Sequence, residues 1–198
     1  KDEDPDSLML KFRGRTRSKI RRAAREGVEV SYGIDEQYLK IFYSIYEEMG
    51  KRNQISIRSY EYFIKILKAF PNDARIYVAK HEEDYLAAAV TINYEGKLYY
   101  LYAGSSNDKR NMNASHLLTY EMMLWGIEAG ADQYDLGGVF ILDGEKDGLF
   151  NFKNGFCQQD GVTHYIGEVD KVYRPMVYKM FVKLVPKLQE IRKSLSLG

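Results

Sequence analysis

Apolar side chains return every three or four residues over 36–49, at Leu39, Phe42, Ile45, Tyr46 and Met49. That spacing lines one face of a helix, with Asp35 placed to cap its start and Gly50 to end it. A second helix over 60–70 follows Ser59 and stops before Pro71. Upstream, 16–26 reads as a short helix closed by Gly27, with a thin stripe of Ile20, Ala23 and Ala24. The period then changes. Residues 28–32 alternate as a strand, and a β-meander is predicted over 74–80, 86–94 and 97–103, with Glu95-Gly96 as a tight turn. A long helix over 114–129 carries Leu117, Leu118, Met122, Leu124, Trp125 and Ile127 and ends at Gly130. A short strand over 133–136 runs into Gly137-Gly138. A Gly- and Asp-rich loop leads to a short helix with Phe150, Phe152 and Lys153. A last strand is predicted over 163–167, and Pro175 opens a C-terminal helix carrying Val177, Met180, Phe181, Leu184, Leu188 and Ile191. Residues 1–10 read as a polar lead-in.

This order predicts an α/β (α+β) fold, a mixed, mostly antiparallel sheet flanked by helices. Three antiparallel strands leading into a strand-helix-strand unit resemble the acetyltransferase-like (GNAT) topology, which alone does not license a function. The expected division is a polar and basic lead-in over 1–15 and one acetyltransferase-like domain over 16–198.

Charge changes this picture more than composition does. The 198 residues are 45% hydrophobic and 29% charged, as in a soluble globular chain. The net charge of +1 hides an asymmetry: 11–25 holds eight basic residues and no acidic ones, while the rest carries 21 basic against 28 acidic side chains. A basic arm on a mildly acidic body points to a polyanionic partner or to a solvated helix pairing with that body. One cysteine, Cys157, leaves no internal disulfide and fits a reducing, cytoplasmic compartment. No signal peptide is visible, and no apolar run is long enough to span a bilayer.

Several chemistries are absent. His81, His116 and His164 stand far apart without zinc spacing, so no metal site is expected. No Walker-type loop, no G-x-G-x-x-G after a strand and no G-x-S-x-G elbow occurs. Cys157 reads as a small half-buried apolar residue and each histidine as structural. An acyl-CoA enzyme would need a pyrophosphate cradle of free backbone N–H groups between the third meander strand and the long helix. Arg110 starts a stretch similar to R-x-x-G-x-G/A, but Asn113 and Ser115 replace the two glycines. Side chains there crowd a closely approaching pyrophosphate, so a different acyl donor is expected.

Four stretches resemble the Fem family (FemABX) of aminoacyl-tRNA-dependent peptidyltransferases. They are Arg17-Ser18-Lys19-Ile20-Arg21-Arg22-Ala23 leading to Gly27-Val28; Arg52-Asn53 followed by Arg58-Ser59-x-x-Tyr62; and Tyr100-Leu101-Tyr102-Ala103-Gly104-Ser105. The fourth is Tyr134-Asp135-Leu136-Gly137-Gly138, then Gly148-Leu149-x-x-Phe152-Lys153-x-Gly155-Phe156 and Ile166-Gly167-Glu168-x-Asp170. They lie in the family's order over 17–178 and match its C-terminal, acetyltransferase-like half. The resemblance implies transfer of an amino acid from its tRNA ester to the stem peptide of a peptidoglycan precursor, in cell-wall interpeptide bridge synthesis. It implies no cofactor beyond aminoacyl-tRNA as co-substrate. The acceptor would be a UDP-linked muropeptide, or a lipid-linked one reached by peripheral membrane association. It also implies that Phe152 and Lys153 support transfer and that Arg58, Tyr62 and Tyr102 contact substrate.

The residue types agree. Attack of an amine on an ester develops negative charge on the carbonyl oxygen, which Lys153 could hold; a solvated surface lysine is the bland alternative. Arg58 offers a bidentate fork for phosphate or carboxylate, or is a surface arginine at a helix start. Tyr62 and Tyr102 could orient a sugar or peptide group, or simply pack, in a chain with 17 tyrosines. Gly137 and Gly138 let backbone approach a ligand, or form a plain turn. Asp135 reads as a loop-capping residue or a base for the amine. Arg17, Arg21 and Arg25 share one helix face that could track tRNA phosphates. Two other readings stay open: an acyl-CoA-dependent N-acetyltransferase, and a non-catalytic module binding precursor or tRNA.

Overall fold

The computed structural model describes residues 4–139, 141–142, 145–146, 148–157, 161–163, 167 and 169–195. The chain forms two compact units, Lys1–Gly161 and Val162–Gly198. The first carries the sheet. It begins with α1 (Pro5–Leu10) and α2 (Gly14–Arg25), then β1 (Glu29–Gly33), α3 (Glu36–Asn53) and α4 (Tyr60–Ala69). The meander β2 (Ala74–His81), β3 (Asp84–Tyr94) and β4 (Lys97–Ser105) follows, then α5 (Ala114–Glu128) and β5 (Gln133–Asp135). A small ladder of β6 (Ile141–Leu142) and β7 (Glu145–Lys146) precedes α6 (Gly148–Asn154). The second unit contains α7 (Pro175–Leu195). The predicted strand over 163–167 lies, in its middle, outside the described residues.

The main sheet has the order β1-β2-β3-β4-β5. Its first three pairings are antiparallel and β4–β5 is parallel, joined through α5. Glu95 (φ 48°) and Gly96 (φ 74°) both take the left-handed conformation that a two-residue hairpin turn demands, as the sequence predicts. Helices cover both faces. On one, α2 and α5 bring Ile20, Ala23, Leu118, Met122 and Trp125 against Ala79, Ala87, Ala89 and Leu98. On the other, α3 and α4 pack Leu39, Phe42, Ile45 and Phe63 against Ile76, Val78, Ala88 and Val90. Each large apolar side chain so buried contributes roughly 1.5–3 kcal/mol.

Three local features differ from the sequence reading. The segment expected as a polar lead-in forms α1, capped by Asp4 accepting from the Ser7 N–H (2.9 Å). Phe12 behind it is 1% exposed and packs edge-on against Tyr120 and Phe156. Secondly, α3 does not end at Gly50. It runs a turn further and closes on Gln54 in the left-handed conformation (φ 52°). Gly50 is buried instead, and a Cβ there would sit 2.5 Å from the Ile57 side chain. Its small size serves packing, not capping. Thirdly, β4 carries a bulge: Val90 pairs with Tyr102 but Thr91 with Tyr100, leaving Leu101 extra. An extra residue reverses which side chains face which layer. Leu98 and Tyr100 therefore pack on the α5 side, while Tyr102 packs with α3 and α4. Gly104 faces α3 so closely that a Cβ would come within 3.0 Å of the Ile45 carbonyl oxygen.

Candidate active site

Three groups of side chains lie along β4 and its connection to α5. The first is the aromatic cluster on the α3–α4 side. Tyr62 Oη lies 3.0 Å from Tyr102 Oη. The bond from Tyr102, then burial, raises the Tyr62 pKa, so the phenol stays neutral at ordinary pH. The Arg58 guanidinium stands over the Tyr62 ring at 5.3 Å, and Phe63 and Tyr46 meet Tyr102 edge-on. Arg58 is exposed, so its fork faces solvent above a wall of rings. The structure thus brings Arg58, Tyr62 and Tyr102 together from two separate stretches of sequence.

The second group lies at the end of β5. The parallel pairing of β4 and β5 stops at Tyr99 and Asp135. Gly137 then turns the chain with φ 75°, a conformation that suits glycine. A Cβ at Gly137 would stand 3.4 Å from the Tyr100 carbonyl oxygen and 3.6 Å from Lys153 Nζ. Lys153 is only 9% exposed, and its ammonium donates to the Gly138 carbonyl at 2.7 Å. The surface-lysine alternative therefore fails, and Lys153, Gly137 and Gly138 form one constellation. Asp135 accepts from the Gly137 N–H (2.8 Å) and from Lys97 (2.9 Å). Burial pushes its carboxyl up, but Lys97 and the Gly137 N–H outweigh that and hold it below the usual carboxylate range. Asp135 is an ion-paired turn cap, too weak a base to take a proton from an amine.

The third group is a cavity of about 730 Å³ under the β4–α5 connection. Its wall includes Arg13, Arg15 and Lys19 from the N-terminal segment, Ser105–Arg110 and Asn113–His116 from the connection, and Phe152 from α6, apart from Asn107. Five lining residues are basic and one, Asp108, is acidic. Lys109 is engaged by Glu82 and Asp84, each at 2.8 Å. Asn113 has φ 56°, so it keeps the left-handed backbone of a glycine while its side chain donates to the Asn111 carbonyl (2.7 Å). Asn113 and Ser115 both line the cavity, as expected of the glycine-replacing positions. Phe152 and Lys153, neighbours on α6, divide their work: the ring lines the cavity and the ammonium reaches the Gly137–Gly138 turn.

The sequence reads His116 as structural, and the structure puts it in the cavity wall. It meets Phe152 edge-on at 4.9 Å, and the Lys19 ammonium reaches its Nε2 at 3.4 Å. Burial, and then the charge of Lys19, lowers its pKa to about 4, so the imidazole is neutral at physiological pH. No spacing signal in the sequence links 19, 116 and 152; only the fold joins them. The helix face expected to meet tRNA does not line the cavity. Arg17 donates to the Phe12 carbonyl at 2.7 Å, tying α2 to the end of α1. Arg21 and Arg25 are exposed and do not line the cavity. Within the same basic segment it is Arg13, Arg15 and Lys19 that do. Among the described residues, no group of three or more His, Cys, Asp or Glu could hold a metal ion, and no helix is long and apolar enough to cross a membrane.

Comparison with known proteins bears on the family and the fold. A profile of the FemAB family matches residues 1–84 and 80–185. The chain is 37% identical over 181 residues to the UDP-N-acetylmuramoylpentapeptide-lysine N(6)-alanyltransferase of Weissella viridescens, covering 91% of this chain and 53% of that protein. The chain thus spans about half the length of this relative. The crystal structure of FemX superposes with a TM-score of 0.71 at 25% identity, over 78% of this chain and 56% of that one. An aminoglycoside acetyltransferase, meta-AAC0020, from an uncultured soil metagenomic sample shares the fold at a TM-score of 0.54 and 13% identity, over 72% of this chain and 97% of that one. The architecture is therefore acetyltransferase-like, as the strand order predicts.

Proposed function

This chain belongs to the FemAB family, and from that premise we propose that it carries the acyl-transfer site of an aminoacyl-tRNA-dependent peptidyltransferase. The enzyme moves an amino acid from its tRNA ester to an amine on the stem peptide of a muropeptide precursor, on the cytoplasmic side where charged tRNA is available. The observation that carries this reading is the cationic cavity whose wall holds Phe152, the sequence neighbour of the Lys153 that reaches the Gly138 carbonyl. It offers Arg13, Arg15, Lys19 and Arg110 to a polyanion. Asn113 and Ser115 stand where a coenzyme A pyrophosphate would need bare backbone.

In this reading the donor's terminal nucleotide enters the cavity against Phe152, and its ester carbonyl lies toward the Gly137–Gly138 turn. The acceptor is held from the α3–α4 side. Arg58 grips a phosphate or carboxylate of the precursor, and the Tyr62–Tyr102 pair orients its peptide or sugar. The incoming amine attacks the ester carbonyl carbon. The C–N bond forms as the ester C–O bond breaks, the ribose hydroxyl leaves, and one proton passes from the amine to that oxygen. Lys153 contributes a positive charge on a largely buried stem, which lowers the energy of the developing oxyanion. The relative from Weissella viridescens is named for alanyl transfer to a lysine N6, which supports a side-chain amine as the acceptor here.

The test is transfer of a radiolabelled amino acid from charged tRNA to a UDP-linked muropeptide by the protein as its gene encodes it, with acetyl-CoA and a lipid-linked precursor assayed in parallel. Transfer from tRNA is the expected result. Turnover with acetyl-CoA and none with tRNA would overturn the reading.

A further inference from the structure

The wall of the donor cavity depends on a segment that has little regular structure of its own. From Ser106 to Asn113 the chain leaves β4, and both Lys109 and Asn113 sit in the left-handed region. One backbone bond, from the Ser106 N–H to the Leu86 carbonyl (2.9 Å), ties its start to β3. Side chains from elsewhere hold the rest. Glu82 and Asp84, around the β2–β3 turn, take Lys109. On the other flank stands Glu48, near the end of α3.

Glu48 Oε1 accepts the Asn107 N–H at 3.2 Å. Ser106 Oγ lies 3.4 Å from the same oxygen and 3.3 Å from Asp108 Oδ2, and its single proton can serve only one of them. Arg52, one turn along α3, stands 3.6 Å from Glu48 and donates to the Ser105 carbonyl at 2.9 Å. The pair therefore grips consecutive residues of the connection, 105 to 107, by both donor and acceptor. The same helix meets the aromatic cluster earlier in its course. Tyr43 Oη donates to the Arg58 carbonyl (3.4 Å), and the Tyr46 ring packs edge-on against Tyr102. One helix thus touches the acceptor side and the donor side within about two and a half turns.

We propose that Glu48, backed by Arg52, is a positioning residue that sets the donor-cavity connection in register with the acceptor cluster. This rests on the reading that the cavity takes the aminoacyl-tRNA donor. A clamp and a plain charge effect predict opposite signs. Removing a carboxylate near a cationic cavity should, through charge alone, improve use of a polyanionic donor. Removing a clamp should impair it.

The experiment compares Glu48→Ala with Glu48→Gln in the protein as encoded. Gln keeps an oxygen for the Asn107 N–H but not the charge. Glu48→Ala is expected to raise the KM for aminoacyl-tRNA by roughly 3- to 10-fold, the worth of one or two partly exposed hydrogen bonds. The KM for the muropeptide should stay put, because Tyr43 and Tyr46 are untouched. Glu48→Gln should leave the donor KM at or below the wild-type value. Amide hydrogen exchange at Asn107 should accelerate in the Ala variant and not in the Gln variant. A donor KM that is unchanged or lower in Glu48→Ala, or an Asn107 amide indifferent to the substitution, would overturn the proposal. Should the wild-type protein not use aminoacyl-tRNA at all, the functional reading falls by itself, and the Asn107 exchange still decides whether the clamp exists.

Discussion

Replacing Lys153 by Met separates what this lysine does for the fold from what it does for the reaction. Its side chain is 9% exposed, so the stem is held among neighbours that a methionine of similar length can satisfy. Its ammonium donates to the Gly138 carbonyl at 2.7 Å, and Gly138 itself is exposed. Water can therefore take over that acceptor, which keeps the cost of losing this one bond near the lower end of the range for charged donors, about 1.5 kcal/mol. Against this stands the desolvation of a buried ammonium, several kcal/mol, which the substitution relieves. These terms oppose each other, so the thermal midpoint of Lys153→Met, set beside its turnover, separates the structural part of this lysine from the catalytic part. Catalysis has no such compensation. A fixed cation acting on the developing oxyanion is worth a factor of about 10² to 10³ in turnover, and apolar Met supplies none of it. Single-turnover transfer from charged tRNA at saturating muropeptide measures the loss, with the thermal midpoint recorded on the same preparation. A stable Lys153→Met protein that keeps near-normal turnover would remove Lys153 from the chemistry. A protein that loses both together would make it a packing residue.

Changing Arg13, Arg15 and Lys19 to Gln should weaken tRNA binding and reduce the slope of log K against log salt by roughly 2 to 3 units; Arg17→Gln, Arg21→Gln and Arg25→Gln together should change the slope less, and the reverse order would place the tRNA on the outer face of α2. Arg58→Lys keeps the charge but loses the fork, so the muropeptide KM should rise with little change in kcat; an unaltered KM would make Arg58 structural. His116, lowered to about 4 from an ordinary value of 6.5 by burial and Lys19, binds its proton more weakly folded than unfolded. Its contribution is thus fully present above about pH 6.5 and is lost as pH falls toward 4, by up to about 3 kcal/mol. His116→Gln should flatten that acid limb in urea unfolding curves measured from pH 7 to 4. A limb of unchanged steepness would contradict the burial argument.

Most of the elements and the family resemblance are legible along the chain, though α1 and the β6–β7 ladder are not. Periodicity placed the meander, the long helix after it and the Glu95-Gly96 turn, because each rests on local chemistry that neighbours along the chain supply. Motif order marked Arg58, Tyr62, Tyr102, Gly137, Gly138, Phe152 and Lys153, but not their arrangement. Gly50 shows the limit within a single helix: the glycine is legible, yet its reason is the Ile57 side chain packed against it, and the C-cap passes to Gln54. The bulge at Leu101 is a pairing event between β3 and β4, so the reversal that sends Tyr100 and Tyr102 to opposite layers has no signature in β4 alone. The basic segment was visible as a charge run. Which of its cations face the cavity depends on Phe12 burying itself and on Arg17 turning back to the Phe12 carbonyl. Lys19 meets His116 across 97 positions, and Glu48 meets Asn107 across 59. Contacts at such separations arise from the packing of helices on a sheet, and no local pattern encodes them.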